Sequence, residues 1–231
     1  MRIDAASTAL TDLKNAPRVS SGQAAQTTEA PKTIGETPPT IVSLSEIGNL
    51  AALFSKGGIV SKLKRRLNKL KNKKCRVTPA KGTIACVDAD DLVYLGVEFL
   101  EEFQNQEDVL AGVMAHEWGH ACALKPPTGE MNKLNWNQIF ELRRAHEVLA
   151  DEVSGRMLAL MDLKPDGLVN FLLQKTKGTH NLKYHDPETR AEIIKKGFEE
   201  EKRKINLAKD LFPSSRGYRN HFHSKIIDDD V

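Results

Sequence analysis

The pattern of apolar and polar positions divides this chain of 231 residues into a series of helices and one short pair of strands. Leu142, Ala145, Leu149, Val153 and Met157 recur every three or four residues, which is typical of one face of a helix. Together with start signals and proline breaks, such spacing predicts helices at 41–53, 59–74, 107–124, 138–162, 164–173 and 187–207.

Two short β-rich stretches lie near 75–78 and 83–87. The residues between them, Pro79-Ala80-Lys81-Gly82, have the chemistry of a turn, so the two stretches are predicted to pair as a hairpin. The predicted fold class is therefore mostly α with a small β-hairpin or edge sheet, an α+β arrangement.

The predicted helix at 107–124 carries the run His116-Glu117-Trp118-Gly119-His120 among apolar residues. Positions i and i+4 lie on one face of a helix, so His116 and His120 can both bind one Zn²⁺. Glu117 lies one step round the helix, where it can take a proton from a water at the metal. Gly119 is a poor helix former, which indicates that another element approaches closely there.

Catalytic zinc usually takes three protein ligands, and the helix at 138–162 offers the third. Glu147 and Asp151 are four residues apart and share a face. One of them can bind the metal while the other holds a ligating histidine by a hydrogen bond. His146 is the competing ligand, but it lies about 100° round the helix from Glu147, so both are not expected at one ion.

The run Glu147-Val148-Leu149-Ala150-Asp151 resembles the E-x-x-A-D element that follows H-E-x-x-H in the M48 zinc metallopeptidases, which include the HtpX-like proteases. The likeness covers about 75–200. In it, 82–88 is similar to the family's edge strand, 91–103 to the next helix, 106–120 to the metal-binding segment and 184–194 to an H-P-x-x-x-x-R-I element. The resemblance implies a zincin-like metallopeptidase domain.

The same resemblance implies roles for individual residues. His116, His120 and Glu147 would bind one zinc per chain, and Glu117 would be the general base. Asp151 would contact a metal ligand without binding the metal itself.

A further role, stabilising the oxyanion of the tetrahedral intermediate, is implied for His185. The chain departs from the family there, because Asp186 separates His185 from Pro187 and Glu192 is interpreted as occupying the place of the arginine. His180 is the alternative for this role.

Composition limits the class of protein. The net charge of +3 carries no global nucleic-acid signature, and no specific nucleic-acid binding is expected. No run of about 18 apolar residues and no signal-peptide core is present, so the chain is expected to be soluble. Cys75, Cys86 and Cys122 form no framework and are predicted to be free thiols.

The chain divides into four predicted regions. Residues 1–40 lack aromatics and are rich in Ser, Thr, Ala, Gln and Pro, so they are predicted to be disordered. Their composition also resembles an uncleaved bacterial type III export signal, which leaves open a bacterial cytoplasmic location or export as an effector. Two predicted helices occupy 41–74, the peptidase domain 75–210 and a tail 211–231.

The predicted helix at 59–74 is basic and amphipathic. Ile59, Val60, Leu63, Leu67 and Leu70 form one stripe, and lysines and arginines cover the rest. The favoured interpretation is a helix docked on the domain by its stripe; the alternative is contact with an anionic membrane surface.

The function predicted from these features is a zinc-dependent endopeptidase. Its peptide or protein substrate is expected to add as a strand to the edge at 83–87. The alternative is a non-catalytic or latent zincin-fold binding module that engages a membrane or an acidic partner through 59–74.

Overall fold

A computed structural model describes residues 39–123, 133–175 and 184–211. The helices are α1 (Ile59–Lys71), α2 (Val97–Phe103), α3 (Glu107–Cys122), α4 (Trp136–Leu160), α5 (Asp166–Lys175) and α6 (Pro187–Leu211), with a 3-10 helix at Gly48–Phe54. The strands are β1 (Thr40–Ile41), β2 (Arg76–Lys81), β3 (Ala85–Val87) and β4 (Leu92–Gly96). This mostly helical arrangement with one small mixed sheet confirms the predicted α+β class.

The two predicted terminal regions fall almost wholly outside the described residues. Within 1–40, the structure describes only residues 39 and 40, and Thr40 begins β1. Of the tail at 211–231, it describes only Leu211, the last residue of α6.

The sheet corrects the predicted hairpin between 75–78 and 83–87. The strand order is β1-β2-β4-β3, so β4 lies between the two strands that were expected to pair. β2 runs parallel to β4, and β3 runs antiparallel to it. The physical reason is burial, because the side chains of Val93 and Leu95 on β4 are fully enclosed and require a central position.

The actual hairpin joins β3 to β4, and Asp88 closes its turn. The carboxylate of Asp88 accepts hydrogen bonds from the backbone N–H groups of Asp90 and Leu92 and from the hydroxyl of Tyr94. β3 is consequently an outer strand, as the edge at 83–87 predicts. The helix expected over 91–103 begins only at Val97, because the residues before it form β4.

Helix α1 docks on the domain through its apolar stripe, as the favoured interpretation predicts. Val60, Leu63 and Leu67 are buried, and the side chain of Asn68 ties the end of the helix to the core. Its amide oxygen accepts hydrogen bonds from the Cys75 backbone and from the indole Nε1 of Trp118 on α3.

Helix α3 lies at the centre of the described core, and 11 of its 16 residues are buried. A side chain at Gly119 would begin 2.7 Å from the Cα atom of Ala150 on α4. Such a gap accommodates hydrogen alone, which confirms that another element approaches closely at this glycine. The close approach brings the metal motif of α3 against the acidic face of α4.

Helix α6 packs along α4 and supports it from the side. Arg190 bonds Asp151 near the middle of α4, and Lys202 bonds Asp162 just past its end, so the two helices run side by side. Gly155 marks their closest approach, because a Cβ there would lie 2.0 Å from the carbonyl oxygen of Ile194.

Two further predictions concern the cysteines and membrane-spanning helices. Cys75, Cys86 and Cys122 form no disulfide, as expected. Over the described parts of the chain, no helix combines the length and the apolar character that crossing a membrane requires.

Candidate metal centre

The described residues contain one group of side chains arranged to hold a metal ion: His116 and His120 on α3 and Glu147 on α4. One ligand atom from each lies within 4.8 Å of the other two. The Nε2 atoms of the histidines are 3.1 Å apart, and the carboxylate oxygens of Glu147 lie 3.3 Å from His116 Nε2 and 3.4 Å from His120 Nε2. These three residues could hold a metal ion.

The local sequence explains the arrangement of the two histidines. One turn of α3 separates them, so their rings meet edge to face with centroids 4.7 Å apart. Gly119 lies between them and lets α4 come close enough for Glu147 to reach both rings.

The chemistry of Glu147 itself fits a cation. Its Oε2 atom is buried and makes no hydrogen bond, although it lies 3.3 Å from His116 Nε2. A buried carboxylate oxygen without a hydrogen-bond partner costs free energy, and a metal ion between the three side chains would satisfy it.

The competing ligand, His146, does not join this group. Among the described residues, the ligand set comprises Glu147 and the two histidines of α3 without it. His146 is half-buried, and burial lowers the pKa of its imidazole. The helical offset between neighbouring residues accounts for the choice, because the face of α4 turned to α3 carries Glu147 and Asp151.

Asp151 lies behind His116, where it can orient the ring. Its Oδ1 atom is 2.9 Å from His116 Nδ1, so in neutral His116 the proton belongs on Nδ1 and the lone pair on Nε2. The Nε2 atom is the one that faces His120 and Glu147. Asp151 therefore selects the tautomer that can bind a metal at the shared position.

Arg190 is the site residue that the sequence prediction missed. It donates two hydrogen bonds to Asp151, from Nε at 2.8 Å and from Nη2 at 2.9 Å, and its Nη2 lies 3.8 Å from Glu147 Oε2. Its guanidinium also lies over the ring of Tyr184, 5.1 Å from the centroid. The sequence interpretation gave this place to Glu192, which is exposed on α6.

The register of α6 explains that error. Asp186 caps the helix by accepting a hydrogen bond from the Thr189 backbone N–H, so Arg190 lies in the first turn. Arg190, Ile194 and Gly197 then recur at helical spacing toward α4. This periodicity could have identified Arg190 from the sequence, because it places a cation on the face of α6 that packs against an acidic helix.

The oxyanion role implied for His185 gains no contact in the structure. Over residues 39–123, 133–175 and 184–211, no hydrogen bond or ion pair joins His185 to the metal-holding group. The alternative for the role, His180, lies outside the described residues.

The two histidines have opposite protonation tendencies without a metal. Burial alone would lower the pKa of His116, but its contacts with Asp151 and Glu147 outweigh burial and raise the pKa to about 10. Burial and the nearby positive charge of His116 lower the pKa of His120 to about 4. At neutral pH His120 is therefore unprotonated and can bind a metal, whereas His116 must first lose a proton.

The acids at the centre differ as well. Burial raises the pKa of Glu117 to about 7, since the side chain is only 6% exposed and has no hydrogen-bond partner among the described residues. Burial also acts to raise the pKa of Glu147 and Asp151, but histidine contacts and Arg190 lower both overall. Of the three acids, Glu117 is thus the one that can be protonated and deprotonated near pH 7.

Comparisons with known protein families, with curated proteins and with solved structures found no match for this chain.

Proposed function

We propose that this protein is a zinc-dependent endopeptidase with a zincin-like catalytic domain. The observation that carries the proposal is the buried Glu117 next to a group of two imidazoles and one carboxylate that could hold a metal ion. Two histidines and a glutamate, with room left for a water, form a typical catalytic zinc ligand set. The resemblance of the motifs to the M48 metallopeptidases supports the same assignment.

In this proposal His116, His120 and Glu147 hold the zinc. Bound zinc supplies a Lewis acid that polarises a water and the scissile carbonyl. Asp151 keeps His116 in the tautomer with a free Nε2 lone pair, and Arg190 fixes Asp151 by two hydrogen bonds. The chain thus contributes a ligand set whose orientation is fixed before substrate arrives.

Glu117 is the proposed general base. A base works best when its pKa lies near the working pH, and burial raises the pKa of Glu117 to about 7. Its carboxylate takes a proton from the attacking water and gives that proton to the leaving amine. His185 remains the proposed oxyanion-stabilising residue, on the strength of the family resemblance alone.

The proposed substrate is an extended peptide that adds to β3, one of the two outer strands of the sheet. Backbone hydrogen bonds of that kind read no sequence, so they favour a peptidase that accepts varied chains.

A second candidate is a non-catalytic or latent module that binds an anionic membrane or an acidic partner through α1. It is favoured by the sequence of α1, which contains lysines and arginines and no acid. Burial of a potential base at Glu117 speaks against a purely structural role for the metal group, because a scaffold gains nothing from that cost.

The experiment that separates the two compares wild type with Glu117→Gln on a quenched-fluorescent peptide library. Glu117→Gln keeps the size of the side chain and removes the base, so kcat/KM is expected to fall by about 10²–10⁴ while bound zinc stays equal. Glu107→Gln, on the exposed first turn of the same helix, is the matched control and should leave kcat/KM unchanged. Equal cleavage by Glu117→Gln and wild type would contradict the proposal.

A further inference from the structure

The first turns of α4 carry two aromatic rings that lie against each other, the exposed ring of Trp136 and the half-buried ring of Phe140. Trp136 is 47% exposed, and its ring centroid lies 6.3 Å from that of Phe140 with the planes tilted by 33°. From Trp136 through Leu149 no residue of α4 is buried, although several are apolar. An exposed tryptophan ring held against a second, half-buried ring adds apolar area to the surface of a helix and is a candidate contact surface.

The two rings lie on the face of α4 that carries the proposed zinc ligand. Phe140 precedes Glu147 by seven residues and Trp136 precedes it by eleven, which are two and three helical turns at about 100° per residue. We call the two rings the aromatic pair. It therefore continues the line of Glu147 and Asp151 toward the start of the helix.

Farther along, the same face of α4 is covered by α3. Ala150 and Ser154 are buried there, and the Ser154 hydroxyl donates a hydrogen bond to the carbonyl oxygen of Gly112. Helix α3 ends at Cys122, just past His120, which reaches Glu147. The face that is buried under α3 beyond Glu147 is thus only partly buried before it, and the aromatic pair lies on that part.

The exposed turns are held in helical form by their own cap. The side chain of Asn135 accepts a hydrogen bond from the Gln138 backbone, and the side chain of Gln138 accepts one from the Asn135 backbone. This capping box stabilises the first turn without help from a core. The aromatic pair is therefore presented on a formed helix beside the metal group.

We propose that the aromatic pair is a substrate subsite that takes an apolar side chain of the peptide. The proposal rests on the proposed function. Phe140 lies about 10 Å and Trp136 about 16 Å from Glu147 along the helix axis. An extended peptide advances about 3.3 Å per residue, so one that follows α4 places its third to fifth residue from the scissile bond on the rings.

A peptide side chain fits this surface better than a membrane does. The polar residues Asn137 and Gln138 stand beside Trp136 in the first turn, and Glu141 follows Phe140. The exposed Asn137 and Glu141 consequently confine the apolar area to a narrow strip, which suits one side chain. A helix that lies in a bilayer needs a broad apolar face along several turns.

The first test measures cleavage of quenched-fluorescent peptides in which one phenylalanine is moved from the first to the sixth position on either side of the cleaved bond. Wild type is expected to gain about tenfold in kcat/KM when the phenylalanine stands three to five residues away. Trp136→Ala and Phe140→Ala should lose that gain and cleave peptides too short to reach the rings at the wild-type rate. An equal gain in wild type and variants would overturn the subsite.

Leu207→Ala is the matched control. Leu207 is also a large exposed apolar residue, but it lies five residues past Lys202, whose partner Asp162 follows the far end of α4. The Leu207→Ala variant should keep the gain in kcat/KM that the placed phenylalanine gives to wild type. If Trp136→Ala slows short and long peptides alike, the rings support the fold or the metal group instead, and the subsite is wrong.

The second test uses zinc-loaded Glu117→Gln, which binds peptide without cleaving it. The chain has two tryptophans, and Trp118 is fully buried, so added ligand acts mainly on the emission of Trp136. A peptide with the correctly placed phenylalanine should shift that emission to the blue, and the same peptide with alanine should not.

The remaining outcomes separate the two proposals. A shift with vesicles of anionic phospholipid but none with peptide would overturn the subsite and make the aromatic pair a lipid contact. Should zinc-loaded wild type cleave no peptide at all, the proposed function fails. Cleavage by wild type without any dependence on Trp136 or Phe140 removes the subsite and leaves the proposed function intact.

Discussion

Helices α3 and α1 pack against the same core, yet they place their charged groups in opposite ways. Helix α3 is buried along most of its length and carries a buried Glu117 and two half-buried histidines. Helix α1 buries its apolar stripe and keeps its lysines exposed or half-exposed, while Arg66 donates a hydrogen bond to the carbonyl oxygen of Met161. Buried ionisable groups are costly unless they bind something, whereas solvated ones cost little. Function is therefore expected to depend on the charges of α3 and to tolerate changes on α1.

The strongest test of this difference removes the third ligand. Glu147→Ala deletes the carboxylate between the two histidines, so zinc affinity should fall on the order of a hundredfold or more. His146→Ala, the neighbouring residue, is the control and should change the affinity by less than about threefold. Competition with a chromogenic chelator measures both. The reverse order would mean that His146 is the ligand.

A second test removes the cation that holds Asp151. Arg190→Gln leaves the buried Asp151 without its paired hydrogen bonds, which should lower the free energy of unfolding by about 3 kcal/mol. Zinc affinity should fall by about 10–100-fold, because His116 loses a fixed support.

The matched control for that variant lies on the same helix. Lys202→Gln breaks a contact with Asp162, whose side chain is 90% exposed, and should leave both unfolding and zinc affinity unchanged. Chemical denaturation and zinc titration measure the two quantities. If both variants behave alike, Arg190 is an ordinary surface cation.

A third test changes the spacing between α3 and α4. Gly119→Ala places a methyl group 2.7 Å from the Cα atom of Ala150, so the helices must separate, at a cost of about 1–3 kcal/mol in unfolding free energy. Gly57→Ala, where a Cβ meets nothing within 4 Å, is the control. Thermal unfolding of both variants shows the difference, and an unchanged melting temperature for Gly119→Ala would refute the close approach.

The smallest effect is expected on α1. Replacing Lys62, Lys64 and Lys71 with Gln should alter unfolding by no more than about 0.5 kcal/mol and leave cleavage of a short peptide unchanged. Binding to anionic vesicles, if α1 engages them, should weaken in the variant and weaken in wild type as salt is added. Loss of peptide cleavage in this variant would contradict the separation of roles between α1 and α3.

Local spacing in the sequence predicts most of the metal group. The i, i+4 histidines and the Glu147–Asp151 pair each lie on one helix, so helical geometry alone brings each pair onto one face. Gly119 carried a further signal, since its lack of a side chain indicates that a neighbouring element approaches closely.

Contacts between segments that lie far apart in the sequence could not be predicted from local spacing. The parallel pairing of β2 with β4 depends on which strand the core encloses, and a strong local turn at Gly82 favoured the wrong hairpin. Arg190 was missed because its partner, Asp151, lies 39 residues away on another helix. Contacts of this kind are set by tertiary packing and leave little trace in local periodicity.

The central claim is tested most directly by calorimetric titration of metal-free protein with zinc at pH 7.5 in buffers of different ionisation enthalpy. We predict one zinc per chain and release of at least about one proton, because the pKa of His116 is raised to about 10 while His120, with a pKa lowered to about 4, is already neutral. Affinity should therefore rise with pH up to about 10. No zinc uptake, or uptake without proton release, would contradict it.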